Sequence, residues 1–136
     1  MATAKQFEDL EIWKLARELA IQIFSLTKAD GLSKDFALKD QMNRSSGSIM
    51  DNIAEGFGRG SRLEFIQFLT IANGSCDELK SQLYRCKDRF YIDENLFNDL
   101  YELADKTSKK TLAMMHYLNK SDIKGQKFKD RTTDKK

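Results

Sequence analysis

The amino-acid sequence predicts an all-α protein that folds as an antiparallel up-down-up-down four-helix bundle. Apolar residues recur at steps of three and four along four separate segments of the chain. No segment alternates apolar and polar residues for long enough to form a strand, and the 136 residues include no proline. Because four amphipathic helices with short connections pack best side by side in alternating directions, these observations together indicate a bundle.

The first helix is predicted over about residues 7–28, where its apolar residues share one face. The stretch Ala29–Gly31 ends this helix, and Ser33 is the predicted N-cap of the second helix. That second helix covers about residues 34–57, and its apolar face has unusually small residues at its centre. The glycine-rich stretch Gly56–Gly60 is expected to form the turn that follows, with its glycines at positive φ.

The third helix, about residues 62–90, begins at the capping box Ser61–Glu64. Gly74 lies in its middle, where glycine costs about 1 kcal/mol relative to alanine, so we expect it to permit the close approach of another backbone. Asp93 is the predicted cap of the fourth helix, which extends to about residue 119. Four apolar residues, one from each helix, are expected to be buried in the shared core: Leu19, Ile49, Leu79 and Leu103.

The net charge of +2 is unevenly distributed along the chain. Residues 1–119, the predicted helical domain, sum to −2, whereas residues 120–136 hold seven Lys or Arg and three Asp, a balance of +4. This C-terminal segment is expected to be a mobile, solvated tail, or an arm that orders on contact with phosphates. The sequence contains no secretion signal and no membrane-spanning run, so we expect a cytoplasmic protein that does not enter membranes.

Several kinds of catalytic or metal site are excluded by the residues that they need. A di-iron site in a helical bundle requires two Glu-x-x-His pairs, but His116 is the only histidine. Cys76 and Cys86 project onto the apolar face of the third helix, so they are expected to be unreactive core residues. The Gly56–Gly60 stretch follows a helix and not a strand, unlike a dinucleotide-binding loop. We therefore predict no metal, no cofactor and no enzymatic activity.

Polar residues form one flank beside the apolar stripe of the second helix and another beside that of the third. Because they combine opposite charges, small side chains and helical spacing, they could form a polar network inside the bundle or between subunits. The alternative is a plain solvated face. The candidate residues of this network are Arg44, Ser48, Asn52, Glu55, Gln67, Ser75 and Glu78.

A surface that binds the phosphate backbone of RNA or DNA is a further hypothesis, since basic residues are bunched in the third helix and the tail. Such a surface would not read base edges, because the chain contains no recognition-helix or RNA-binding-sheet motif. Binding would then weaken steeply with salt. The candidate residues are Arg59, Arg62, Lys80, Arg85, Lys87, Arg89, Lys124, Lys127, Lys129 and Arg131. Those in the third helix occupy both of its sides, which weakens a single-groove interpretation.

Longer motifs add a family resemblance to these patterns. They lie at Phe7–Ala16, Leu38–Arg44, Ser48–Gly56, Glu64–Ser75 and Glu78–Leu79, and the Asn-Ile-Ala-Glu-Gly and Gly-Ser-x-x-Glu-Leu elements among them are specific. With these residues the chain, over about residues 7–119, resembles the four-helix bundle proteins encoded within intervening sequences of bacterial 23S ribosomal RNA genes. The start of the second helix departs from the family pattern because it lacks a proline.

The resemblance implies a cytosolic bacterial bundle that assembles as a ring-shaped homopentamer of largely uncharacterised role. A related branch comprises the accessory variability determinants of diversity-generating retroelements, strongly basic pentamers that bind nucleic acid and partner with a reverse transcriptase. The near-neutral body of this chain differs from that branch. Two hypotheses therefore follow: a nucleic-acid-binding accessory protein, or a structural oligomer that binds a protein partner such as a reverse transcriptase. A neighbouring reverse-transcriptase gene or a position inside a ribosomal RNA operon would separate them.

Overall fold

The computed structural model of the chain describes residues 4–124, with the side chains of residues 4–120. Its helices are α1 (Glu11–Leu26), α2 (Phe36–Gly58), α3 (Arg62–Asp88) and α4 (Glu94–Lys124), with short 3-10 turns at Phe7–Asp9 and Leu32–Lys34. No strand occurs within residues 4–124. The predicted all-α class and its four helices are therefore confirmed.

The N-terminal boundaries of α1 and α2 differ from the predicted ones. The first helix begins at Glu11 and not at about residue 7, because Leu10 has extended backbone angles (φ −76°, ψ 129°). The second helix is capped by Asp35, whose Oδ1 accepts the Leu38 N–H at 3.3 Å. The predicted cap, Ser33, lies instead inside a 3-10 turn, which moves the start of the helix two residues along the chain.

The caps of α3 and α4 are the predicted ones, but both helices end elsewhere. Ser61 Oγ accepts a hydrogen bond from the Glu64 N–H at 3.3 Å, and Asp93 Oδ1 accepts one from the Leu96 N–H at 2.8 Å. The third helix ends at Asp88, two residues early. The fourth continues to Lys124, so the predicted domain boundary after residue 119 falls within α4.

The core lies between the four helices, where α1 and α3 each pack against both α2 and α4. Leu19, Ile49 and Leu79 are fully buried, as predicted. Leu103, the fourth residue predicted for the core, is only partly buried, because it lies 100° around α4 from the fully buried Ala104. The sequence pattern thus identifies α4 correctly, but Leu103 lies at the edge of its buried face and not within it.

The glycines of α2 and α3 have different uses from the predicted ones. Gly56 and Gly58 belong to α2, and only Gly60 has the positive φ (73°) expected of the turn. A Cβ placed on Gly56 would lie 2.6 Å from the Cβ of Phe68, so Gly56 allows α2 and α3 to pack closely. A Cβ on Gly74 would meet no atom within 4 Å. The prediction that Gly74 permits a close approach is therefore wrong within the described chain.

A cluster around Asp35 ties the start of α2 to the end of α3. Asp35 Oδ2 accepts hydrogen bonds from the Tyr91 hydroxyl at 2.9 Å and from Arg89 Nη1 at 2.7 Å. The Tyr91 hydrogen bond and then the Arg89 guanidinium lower the pKa of this carboxyl below its ordinary value. The carboxylate therefore caps α2 and also fixes the segment that follows α3.

Candidate functional site

The polar flanks of α2 and α3 meet along one line, which we call the α2–α3 seam. Its residues are Ser45, Ser48 and Asn52 of α2 and Ser75 and Glu78 of α3. The hydroxyls of Ser48 and Ser75 are 2.9 Å apart, and Ser45 Oγ donates to Glu78 Oε1 at 3.3 Å. Asn52 Nδ2 donates to the carbonyl oxygen of Ser48 at 2.8 Å and to its Oγ at 2.9 Å.

The seam forms because small hydroxyl residues face each other at the centre of both helices. Ser45 and Ser75 are 4% and 8% exposed, so their side chains lie between the helices. The hydroxyls of Ser45 and Ser75 each have a hydrogen-bond partner, which removes the cost of burying them unpaired. Sequence reasoning missed Ser45 because its position projects onto the apolar face of α2.

Three of the seven network candidates lie outside the hydrogen-bonded seam. Arg44 and Gln67 are exposed on the outer surfaces of α2 and α3. Glu55 accepts a hydrogen bond from Arg59 Nη2 at 2.7 Å, one turn along the chain. The other four candidates, Ser48, Asn52, Ser75 and Glu78, are brought together.

The outer edge of the seam exposes groups that nothing in the described chain covers. Ile71 is 52% exposed although it lies one turn before Ser75 on the α2 side of α3. Gly74 is exposed beside it, with open space where a side chain would lie. This edge therefore combines an exposed apolar side chain with a bare stretch of helix backbone.

The first three basic candidates are paired or buried. Arg59 forms ion pairs with Glu55 and, at 3.8 Å, with Glu64. Arg62 is only 4% exposed. Lys80 Nζ lies 2.7 Å from Asp105 Oδ1. Burial is the largest single effect on Lys80 and opposes its charge, but the hydrogen bond to Asp105 and the attraction of nearby negative charges, Asp105 and Asp77 among them, together raise the pKa of the amine.

The other three basic candidates within residues 1–119 also have partners within the chain. Arg85 donates to Gln41 Oε1 at 3.0 Å, and Arg89 pairs with Asp35. Lys87 Nζ lies 3.2 Å from Glu94 Oε1, on the α4 side of the third helix. The six basic residues are thus divided between two sides of the bundle, and they do not form one basic surface.

Four basic candidates lie nearer the C-terminus. Lys124 is the last residue of α4, and its side chain lies outside the described residues. The other three, Lys127, Lys129 and Arg131, lie wholly outside them.

The two cysteines, Cys76 and Cys86, are buried, whereas the histidine is exposed. Burial raises the pKa of the Cys76 thiol to about 12 and that of Cys86 to about 11, so both are protonated near neutral pH. His116 is exposed on α4. Within the described residues there is no group of three or more His, Cys, Asp or Glu that could hold a metal ion. No helix there is both long and apolar enough to cross a membrane.

These features define an all-α, four-helix protein whose candidate site is a polar surface between two helices. The sequence model of the 23S rRNA-intervening sequence protein family matches residues 8–113, and the chain belongs to that family. Its fold is similar to the crystal structure of a protein of unknown function from the S23 ribosomal protein family of Bacteroides thetaiotaomicron. The TM-score is 0.72 at 24% identity, covering 77% of this chain and 95% of that one. No curated protein matches the sequence.

Proposed function

We propose that this protein is a non-enzymatic bundle whose function depends on self-association into a cyclic homopentamer. The helices of each copy form an antiparallel up-down-up-down bundle, and five chains of 15.7 kDa give a ring of about 78 kDa. Membership of the intervening-sequence family supports the ring, because the resemblance to that family implies pentamers. The ring would act in the cytoplasm as a scaffold for its partners.

The outer edge of the α2–α3 seam carries this proposal. A glycine inside a helix lowers stability by about 1 kcal/mol relative to alanine, and Gly74 has no neighbour in the described chain that would require it. Ile71 beside it leaves half of its side chain exposed. A second copy packed on this edge would cover the exposed side chain of Ile71. It could also approach the helix backbone closely at Gly74, where no side chain is in the way.

Replacing Ile71 with aspartate tests whether the outer edge of the α2–α3 seam is an interface between subunits. A charge at a position that is buried between subunits opposes association, so we expect the Ile71→Asp variant to be a monomer at concentrations where the wild type is assembled. Phe24→Asp is the matched control, since Phe24 is 53% exposed but lies on α1. Light scattering after size-exclusion chromatography gives the mass of each protein. Circular dichroism confirms that each remains helical.

If the Ile71→Asp variant assembled like the wild type, the outer edge of the α2–α3 seam would not be the interface between subunits. Dissociation of both variants to the same extent would also count against it, because Phe24 lies on another helix. The two substitutions change net charge equally, so a difference between them reports the position and not the charge.

Non-specific binding of nucleic acid is a second candidate function, favoured by the balance of +4 in residues 120–136. The six basic residues of the body already have partners or are buried, so they support it weakly. We therefore expect the C-terminal segment to supply the affinity, through the phosphates of RNA or DNA.

Filter-binding titrations at several salt concentrations test this second candidate. Full-length protein should bind less tightly as salt rises, and removal of residues 120–136 should flatten the dependence of log affinity on log salt. Undetectable binding at low salt, or affinity indifferent to salt, would contradict it. That result would favour a ring that binds a protein partner, such as a reverse transcriptase, without direct contact with nucleic acid.

A further inference from the structure

The outward surface of α1 and of the residues that follow it combines apolar side chains with cations. Ile21 and Phe24 are 54% and 53% exposed, although both are large and apolar. Arg17 lies over the ring of Trp13, with its Cζ 5.8 Å from the ring centre, and Lys28 lies over the ring of Phe24, with its Nζ at 4.4 Å. At 100° per residue these five residues fall within one arc of about 80°, away from the buried face of the helix. We call them the α1 outer arc.

The acidic residues of α1 lie outside this arc. Glu11 Oε2 lies 3.4 Å from Lys110 Nζ of α4, and Glu18 accepts a hydrogen bond at 2.8 Å from the side chain one turn further along. Neither Arg17 nor Lys28 forms an ion pair with another described residue. The α1 outer arc therefore presents positive charge and exposed apolar area together.

An open groove borders the α1 outer arc on the side of α2. Asn43 Nδ2 donates to Thr27 Oγ1 at 3.4 Å, which places the two helices side by side at this point. Gly47 lies one turn further along α2 from Asn43, and Phe24 lies one turn before Thr27 on α1. A Cβ on Gly47 would meet no atom within 4 Å, so the surface beside Phe24 is open down to the backbone of α2.

The shape and charge of this surface match those of an amphipathic helix that carries acidic residues. A helix bound in a groove uses a stripe of apolar side chains as its anchors. That stripe would cover Ile21 and Phe24 beside the bare backbone at Gly47, and carboxylates flanking it would lie near Arg17 and Lys28. The arc runs for about four turns of α1, or about 23 Å, which is long enough to seat such a helix.

Two other occupants of the groove fit its charges less well. Across the groove, the outer face of α2 exposes Asp40 and Asp51, with Arg44 between them in the sequence. A phosphate backbone that reached Arg17 and Lys28 would therefore meet carboxylates on the other side. The C-terminal segment, residues 120–136, has a balance of +4, which is the same sign as the charge of the α1 outer arc.

We propose that the α1 outer arc and the adjoining groove bind an acidic amphipathic helix of a partner protein. Every residue of this surface belongs to one copy of the chain, so the inference does not depend on the proposed self-association. The apolar contact with Ile21 and Phe24 supplies most of the affinity, because exposed ion pairs are weak singly. The charges of Arg17 and Lys28 select an acidic partner.

A pair of fluorescent synthetic peptides tests the charge preference of the full-length protein. The first is an amphipathic helix of about 18 residues, which spans about 27 Å, with leucines in one stripe and glutamates on both flanks. The second has lysine at every glutamate position. Fluorescence anisotropy should show that the glutamate peptide binds about tenfold more tightly or better, and this preference should weaken as salt rises.

Removal of the apolar contact tests where the glutamate peptide binds. The variant Ile21→Ala with Phe24→Ala should weaken its binding by about tenfold or more. The matched control is Leu63→Ala with Phe90→Ala, which removes side chains that are 53% and 92% exposed elsewhere on the surface. The control should bind like the wild type. Circular dichroism confirms that both variants remain helical.

Charge reversal tests which cations select the peptide. The variant Arg17→Glu with Lys28→Glu should exchange the preference, so that the lysine peptide binds more tightly than the glutamate peptide. The matched control is Lys106→Glu with Lys120→Glu, which changes the net charge equally at exposed positions of α4. This control should keep the wild-type preference.

Four results would overturn the inference. Equal binding of the two peptides, or no binding of either, would contradict the charge match, and unchanged binding by both variants would place the site elsewhere. Tighter binding of a uridine oligonucleotide than of the glutamate peptide, lost on charge reversal, would make the arc a nucleic-acid surface. A lower mass of the Ile21→Ala, Phe24→Ala variant in light scattering would assign the arc to contact with a second copy.

Discussion

Replacing Leu79 with alanine should lower the free energy of unfolding by about 2–5 kcal/mol. Leu79 is fully buried in α3, which packs against both α2 and α4, so its loss leaves a cavity between three helices. Urea denaturation followed by circular dichroism measures the effect. All proteins are compared at one concentration, because the stability of an assembly depends on concentration.

The matched control for this truncation is Leu96→Ala. Leu96 is 39% exposed at the start of α4, so the same chemical change there should cost clearly less. Equal losses at the two positions would contradict the assignment of Leu79 to the core.

The second large effect is expected at Gly56. An alanine Cβ there would lie 2.6 Å from the Cβ of Phe68 and 3.1 Å from a ring carbon of Phe65. Because the Phe68 Cβ is fixed to the backbone of α3, the two helices would have to move apart. Overpacking of this kind costs about 1–3 kcal/mol, against a gain in helix propensity of about 1 kcal/mol.

Gly47→Ala is the control in the same helix, since a Cβ there would meet nothing within 4 Å. It should raise the free energy of unfolding by up to about 1 kcal/mol, through helix propensity alone. The two substitutions are thus expected to differ in sign in urea denaturation. Stabilisation by Gly56→Ala would show that α2 and α3 are not in close contact at this point.

Much of the fold follows from local patterns in the sequence. Apolar spacing identifies the four helices, and the caps Ser61 and Asp93 are readable because each is followed at the right distance by a helical segment. The choice between Ser33 and Asp35 as the cap of α2 is not local. The Tyr91 hydroxyl and Arg89 hold Asp35 in place from 54 or more residues away.

The use of each glycine also depends on tertiary packing. The sequence pattern predicts Gly56 in a turn and Gly74 at a close contact inside a helix, and neither role is the observed one. Only the position of α3 against α2 shows that Gly56 lies against Phe68 whereas Gly74 faces open space. A glycine inside a helix therefore does not by itself show whether a neighbouring element approaches closely.

The candidate site was predicted where it depends on helical spacing and missed where it depends on distant partners. Ser48 and Ser75 project onto the facing flanks of their helices, and they are in contact. The partners of several basic residues are remote in the sequence, so a local pattern does not reveal them. Lys80, for example, pairs with Asp105 of another helix.

The central claim, that the protein works as a cyclic homopentamer, is tested most directly by native mass spectrometry of the full chain. Spray from micromolar solution keeps non-covalent assemblies intact and counts their subunits. We expect a dominant species of about 78 kDa, which is five chains of 15.7 kDa. A dominant species of 15.7 kDa, or a dimer, at these concentrations would contradict the claim.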